Sequence, residues 1–159
     1  MRRLSIVLLT VALCSCKSEA PPPAATVPVA SAPFEEVTDM KQLMNWIIEP
    51  SADVIWASTG TVITEEGEQH TRPETDEQWT AIRDAAAIVA ESGNLLLMPG
   101  RIRDEDWVKH VRELTRTAKE VIAAAEAKDV DSLFTAGGDV YLVCSACHAQ
   151  YALDLKKVQ

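Results

Sequence analysis

The sequence is poor in cysteine, in aromatic side chains and in long hydrophobic stretches. Its four cysteines form two close pairs, Cys14 with Cys16 and Cys144 with Cys147, and this arrangement excludes the disulfide framework of many small secreted domains. The apolar stretch over residues 4–13 is too short to cross a bilayer. The fold must therefore be held by an ordinary hydrophobic core, in a chain long enough for one domain.

Basic side chains are also scarce, with 15 lysines and arginines against 24 aspartates and glutamates. The resulting net charge of −9 would repel nucleic acid and anionic lipid headgroups. A basic protein is the electrostatic partner that such a surface favours. The charge can equally serve only to keep an exported protein soluble.

The first residues resemble a bacterial lipoprotein signal. Arg2 and Arg3 precede the apolar stretch, which ends in Leu13-Cys14-Ser15-Cys16. A small residue before Cys16 and an apolar residue three positions before it match the lipobox, in which the cysteine becomes lipid-modified. This pattern predicts a signal peptide over residues 1–15 and a lipid on Cys16; an ordinary cleaved signal with Cys16 left free or disulfide-bonded is the alternative.

A proline-rich segment follows the predicted anchor. Five of the fourteen residues at positions 20–33 are proline, a composition that excludes a helix and favours extended polyproline II. At roughly 3 Å per residue it could hold a domain about 40 Å from a membrane. We therefore expect an anchor and linker over residues 16–34 and a folded domain over residues 35–159, facing the periplasm of a Gram-negative bacterium.

The folded domain is expected to be all-α, because its apolar residues recur at steps of three and four and no stretch alternates strictly. Helices are predicted over residues 38–60, from 75 to about 97, from 104 to about 127, and over 129–156. Pro50 should interrupt the first of them near residues 45–49, and the second should begin with a capping box at Thr75. Four such helices with mostly short connections predict an antiparallel four-helix bundle.

The fourth predicted helix carries Cys144-Ser145-Ala146-Cys147-His148, the Cys-x-x-Cys-His pattern of c-type haem attachment. Residues at i, i+3 and i+4 share one helix face, so two thiols can form thioethers with a haem while His148 binds its iron. A thiol–disulfide exchange site is an alternative, although such a motif belongs at the start of a helix that follows a strand. A zinc site is another, and it would need a further ligand from His70, His110 or acidic side chains.

The same helix resembles the last helix of the cytochrome c′ family, the class II c-type cytochromes. The resemblance lies in residues 127–133, Gly138-Asp139-Val140, the Cys-x-x-Cys-His motif and Tyr151, and it extends to helix number and lengths across the domain. It implies one covalent haem c and a role in electron transfer or gas binding. Trp107 matches a tryptophan that the family often has at the start of the third helix, and relatives often dimerise through their early helices, so a homodimer is compatible with the resemblance. Many members have a basic residue directly after the tyrosine, where this chain has Ala152, and this difference favours electron transfer.

Met44 is the predicted second iron ligand, ahead of Met98 and Met40. It lies six residues past the predicted start of the first helix, a rise of about 9 Å, whereas His148 lies eight residues before the predicted end of the fourth, about 12 Å. In an antiparallel bundle these heights nearly coincide. Residues 42–44 also resemble the first helix of the methionine-ligated, low-spin branch of the family.

Several other residues have expected roles near this end of the domain. Gly137, seven residues before Cys144, should let the porphyrin or a neighbouring helix approach closely. Lys41 and Arg101 could pair with haem propionates, with solvent exposure as the default, and His110 should be a boundary histidine. Trp46, Trp56 and Trp79 are expected to pack in the core or at its boundary; they are the remaining tryptophans.

Three functions follow from these patterns. The first is electron transfer by a haem with His148 and Met44 as ligands, the second is a five-coordinate haem that binds nitric oxide or carbon monoxide, and the third is a haem-free scaffold lipoprotein with a Cys144/Cys147 pair. The sequence contains no catalytic carboxylate pair, nucleophile–base arrangement or phosphate loop, so we do not expect a substrate-converting enzyme.

Overall fold

The computed structural model describes residues 34–152, and the predicted signal peptide, the Cys16 anchor, the proline-rich linker and the last predicted turn of the fourth helix lie outside them. The described part is mostly helical, with one small two-stranded antiparallel sheet. The predominance of helix was predicted. The expectation of an all-α domain is wrong in one segment, the hairpin described below.

The first helical region consists of α1 (Met40–Leu43), a π-helical segment (Met44–Ile48) and α2 (Glu49–Trp56). Asp39 caps its start, because its carboxylate accepts the Gln42 N–H and the Gln42 side chain accepts the Asp39 N–H. Pro50 cannot donate to the carbonyl four residues earlier, and its ring would collide with that carbonyl in a regular α-helix. The wider π-helical turn relieves this clash, and it lies where the sequence predicts an interruption.

A β-hairpin occupies the segment that was expected to be a polar loop through His70. Strand β1 (Gly60–Thr64) pairs antiparallel with β2 (Gly67–Thr71), and Gly67 ends the turn at a φ of +132°, which favours glycine. Residues 61–64 of β1 are all β-branched, which suits a strand. Nearly every side chain of the hairpin is exposed, so no alternation of apolar and polar residues reveals it in the sequence.

Three long helices complete the domain: α3 (Asp76–Leu96), α4 (Glu105–Ala127) and α5 (Val130–Tyr151). Thr75 and Gln78 form the predicted capping box, and the carboxylates of Asp104 and Asp129 cap α4 and α5. Lys128 takes a left-handed conformation between α4 and α5, which gives the short turn expected there.

The core lies where α4 packs against both α3 and α5, and α2 adds contacts to α3 and, more sparsely, to α5. The apolar spacing predicts inward positions on both helices, and all are buried except Ile122, which is half-buried; they are Trp79, Ile82, Ala86, Val89, Gly93 and Leu96 of α3 and Trp107, Val111, Leu114, Ala118, Val121, Ile122 and Ala125 of α4. No helix within residues 34–152 combines the length and apolar character needed to cross a membrane.

Candidate functional site

An apolar cavity of about 430 Å³ lies between the first helical region and the C-terminal half of α5, a volume in the range of small-molecule and cofactor sites. Its lining is mainly hydrophobic, with a few polar groups at its margin. The lining residues are Met40, Lys41, Met44, Asn45, Ile48, Glu49, Ala52, Trp56, Leu96, His110, Val111, Leu114, Tyr141, Val143, Cys144, Ser145, Cys147, His148 and Ala152.

The two cysteines and the histidine of the predicted motif all line this cavity. Cys144 and Cys147 are half-buried free thiols, and His148 is exposed at the margin. Because they lie at i, i+3 and i+4 of α5, they occupy one face of that helix. The motif therefore directs two thiols and an imidazole towards a single apolar space.

The thiols are poorly suited to disulfide exchange. Burial raises the pKa of the Cys144 thiol to about 11, and the nearby Cys147 thiol adds to the shift. Burial also raises the pKa of Cys147, although the charge of Arg103 opposes it. Exchange sites depend on a lowered thiol pKa and a helix N-terminus. Cys144 instead lies 14 residues past Val130, the first residue of α5.

Met44 and Met40 both lie in the cavity wall, across from the Cys-x-x-Cys-His face of α5, whereas Met98 does not line the cavity. Both are partly buried. Met44 is the first residue of the π-helical segment, so the distortion caused by Pro50 begins at this side chain. Interruptions of this kind often occur at functional sites in helical proteins.

Gly137 lies in the part of α5 that packs directly on α2. A Cβ atom at this position would stand 3.4 Å from Ile55 Cγ2, and Trp56 Nε1 donates to the Gly137 carbonyl at 3.1 Å. Gly137 therefore packs against the neighbouring helix rather than lining the cavity, and a Cβ there would already be in close van der Waals contact with α2.

Trp107 is buried in α4 and does not line the cavity. Its Nε1 donates to the Leu96 carbonyl at 3.0 Å, and its ring meets the edge of Tyr151 with centroids 5.1 Å apart. It therefore contacts the last turn of α5, one turn beyond His148, and supports the site from outside the cavity.

Tyr151 links the end of α5 to the start of α4, a connection that the sequence did not predict. Its hydroxyl donates to Asp104 Oδ1 at 2.6 Å, and the same oxygen accepts the Trp107 N–H. These two hydrogen bonds lower the pKa of Asp104. Partial burial, followed by the hydrogen bond to Asp104, raises the pKa of Tyr151 to about 12. The pair is therefore a neutral phenol bound to a carboxylate at neutral pH.

Two of the predictions made for residues around the site are wrong. Arg101 is buried rather than solvated, because its guanidinium donates to the carbonyls of Leu95 and Thr38 and pairs with Glu36. It holds the segment before α1 against the end of α3 and does not line the cavity. Trp46 is 63% exposed and does not pack, because it lies on the outer side of the π-helical segment.

The other expectations hold in part. Lys41 is exposed and lies at the cavity margin. His110 is half-buried in the cavity wall, with its Nε2 3.0 Å from Gln150 Oε1. Trp79 is buried and Trp56 half-buried, as packing roles require.

Among residues 34–152 no group of three or more His, Cys, Asp and Glu side chains is gathered closely enough to hold a metal ion. Comparison of the chain with protein-family models, with curated proteins and with solved structures found no match.

Proposed function

We propose that this protein is a c-type cytochrome that transfers electrons through one haem attached to Cys144 and Cys147, with His148 and Met44 as the iron ligands. The carrying observation is that these four side chains line one apolar cavity. The proposed fold is an antiparallel four-helix bundle of the cytochrome c′ type. The chain thus acts as a carrier, not as a substrate-converting enzyme.

The side chains that line the cavity can supply the attachment points and iron ligands that a haem c needs. Two thiols three residues apart and an adjacent imidazole provide covalent attachment and one nitrogen ligand, and the opposite wall offers a thioether sulfur. A haem bound there would supply one-electron chemistry, and a His/Met ligand pair raises its reduction potential. The apolar wall would limit the access of water and so help to set the reduction potential.

The residues of the chain have distinct roles in this proposal. The Cys144 and Cys147 thiols hold the group in place, and His148 binds from the face of α5. Trp107 and Tyr151 brace the turn that carries His148. The acidic surface favours a basic redox partner.

Substitution of Met44 tests the ligand set. If Met44 is a ligand, the wild-type ferric protein is low-spin and its reduced form resists carbon monoxide. Met44→Ala should then become high-spin and bind the gas, whereas Met40→Ala, in the same cavity wall, should keep the wild-type spectrum. Ferric absorption spectra and gas titration of the reduced protein measure both variants.

The other functions would give different results in the same experiment. A wild-type protein that is already high-spin and binds gas readily would replace electron transfer with gas binding. The wild-type protein should also be purified from cells that carry out cytochrome c maturation. If it then shows no haem stain on a denaturing gel, the haem-free scaffold is the remaining function.

We also propose that the mature chain is held to a membrane by a lipid on Cys16, facing the periplasm, on the strength of its lipobox. Cys16→Ser should release the protein into the soluble fraction with haem still attached, and Cys14→Ser serves as the matched control that stays membrane-bound. Membrane fractionation with haem staining measures both. Retention of the Cys16→Ser protein would contradict the anchor.

A further inference from the structure

Two residues of opposite charge, Arg103 and Asp104, precede α4 and lie against the last turn of α5. The Arg103 guanidinium carbon stands 5.2 Å from the centre of the Trp107 ring and 5.6 Å from that of Tyr151. Asp104 Oδ1 accepts the Tyr151 hydroxyl at 2.6 Å. Tyr151 lies three residues after His148, so both charges contact a side chain that begins one helical turn from the proposed iron ligand.

Contacts on both side chains fix these charges in space. Arg103 rests over two aromatic faces, a cation–π arrangement that restricts a long side chain. Asp104 is held as the N-cap of α4 through the Trp107 N–H at 2.8 Å. Neither charge therefore depends on a freely rotating side chain.

Asp104 acts directly on the end of α5, because its hydrogen bond adds to the effect of burial in raising the pKa of Tyr151. The nearby Lys109 and Asp106 form a salt bridge at 2.7 Å and largely offset one another. Arg103 and Asp104 are thus the two charges that contact the aromatic side chain at the end of α5.

We propose that Arg103 and Asp104 tune the reduction potential of the haem in opposite directions, Arg103 raising it and Asp104 lowering it. This inference rests on the proposed function. Reduction adds one electron to the haem and makes its net charge more negative by one, with no bond made or broken. A fixed positive charge nearby therefore stabilises the reduced state, and a fixed negative charge destabilises it.

The sequence alone does not predict a positive charge beside Tyr151, because the next residue in the chain is Ala152. Arg103 places a positive charge beside the same tyrosine from a different helix. The charge is thus supplied by tertiary contact rather than by the neighbouring residue in the chain.

Neutral substitutions test the proposal by potentiometric titration of the holoprotein. Arg103→Gln should lower the ratio of reduced to oxidised protein at a fixed applied potential by about threefold to tenfold, a tenfold change being 59 mV for a one-electron couple. Asp104→Asn should raise that ratio by a similar factor, and asparagine keeps the helix cap. Arg103→Lys should stay close to wild type, because it keeps the charge.

The controls are Lys119→Gln and Glu126→Gln, which remove exposed charges of the same signs from the part of α4 beyond the residues that line the cavity. Both should change the ratio by less than about twofold. The shifts of Arg103→Gln and Asp104→Asn should shrink in high salt, because exposed charges are screened. The ferric spectrum should stay unchanged in all variants, and thermal unfolding should shift only slightly in Arg103→Gln and Asp104→Asn, through the lost cation–π contact and the weakened hydrogen bond to Tyr151.

Shifts of the same sign in Arg103→Gln and Asp104→Asn, or no shift in either while haem is attached, would overturn the inference and leave the proposed function intact. A wild-type protein without covalent haem would overturn the proposed function and this inference with it.

Discussion

The two halves of α5 differ in how they are packed. Residues 130–140 bury four residues, Leu133, Ala136, Gly137 and Val140, against α2 and α4. Residues 141–151 bury none fully, and their inward positions line the apolar cavity. One continuous helix therefore serves as a core element in its first half and as the wall of a binding site in its second.

The difference does not come from a change in the apolar pattern. The inward stripe of α5 continues past Val140 through Val143, Cys144, Cys147 and Tyr151, which are half-buried. The two cysteines thus occupy positions that core residues hold in the first half. What differs is the element that faces α5. Along its first half, α2 approaches closely at Ile55 and Trp56. Along its second half, the first helical region stands farther away, and the apolar cavity fills the gap.

The largest expected effect comes from removing the thiols of the second half. Cys144→Ala with Cys147→Ala should abolish covalent haem and lower Tm by at least about 10 °C, since an attached haem would bury apolar surface in the cavity only in the folded state, a contribution of about 3 kcal/mol or more. Ser145→Ala, between the two cysteines, is the matched control and should keep both properties. Haem staining and thermal unfolding are the measurements, and an unchanged Tm in the double variant would show that both halves are equally self-sufficient.

A smaller effect is expected from changing the contact between Gly137, in the first half of α5, and α2. Gly137→Val should destabilise the protein by about 1–3 kcal/mol, because the added side chain meets Ile55 across the α2–α5 contact. Gly138→Val is the control, since a Cβ there has no neighbour within 4 Å. Chemical denaturation of both variants gives the comparison; equal stabilities would contradict tight packing at this point.

The smallest effect concerns Trp56 of α2, which reaches both halves of α5. It lines the cavity beside the second half and donates to the Gly137 carbonyl in the first. Trp56→Phe should cost about 1 kcal/mol by losing that hydrogen bond. Trp46→Phe removes an indole that is 63% exposed and should change stability by less than about 0.5 kcal/mol. If denaturation gives equal losses for the two variants, the hydrogen bond does not join the halves.

The helices were predictable because their signals are local. The capping box at Thr75, the cap at Asp104 and the apolar spacing of α3 and α4 depend on residues within one or two turns. The hairpin was missed for the opposite reason. Its side chains face solvent, so burial imposed no alternation from which it could be inferred.

The candidate site was predictable only in part. The spacing of Cys144, Cys147 and His148 follows from helix geometry alone, and the structure places all three at one cavity with Met44. The roles of Arg101 and Tyr151 depend on partners 63 and 47 residues away, Thr38 and Asp104, to which no local pattern points.

By itself the sequence determined the three long helices, the capping box at Thr75 and the shared face of the Cys-x-x-Cys-His motif, since each depends on residues a few positions apart. Only the tertiary structure decided that Gly137 serves α2 rather than the cavity, and that Arg103 stands beside Tyr151. Those outcomes depend on how closely separate helices approach one another, a distance set by the packing of the whole core.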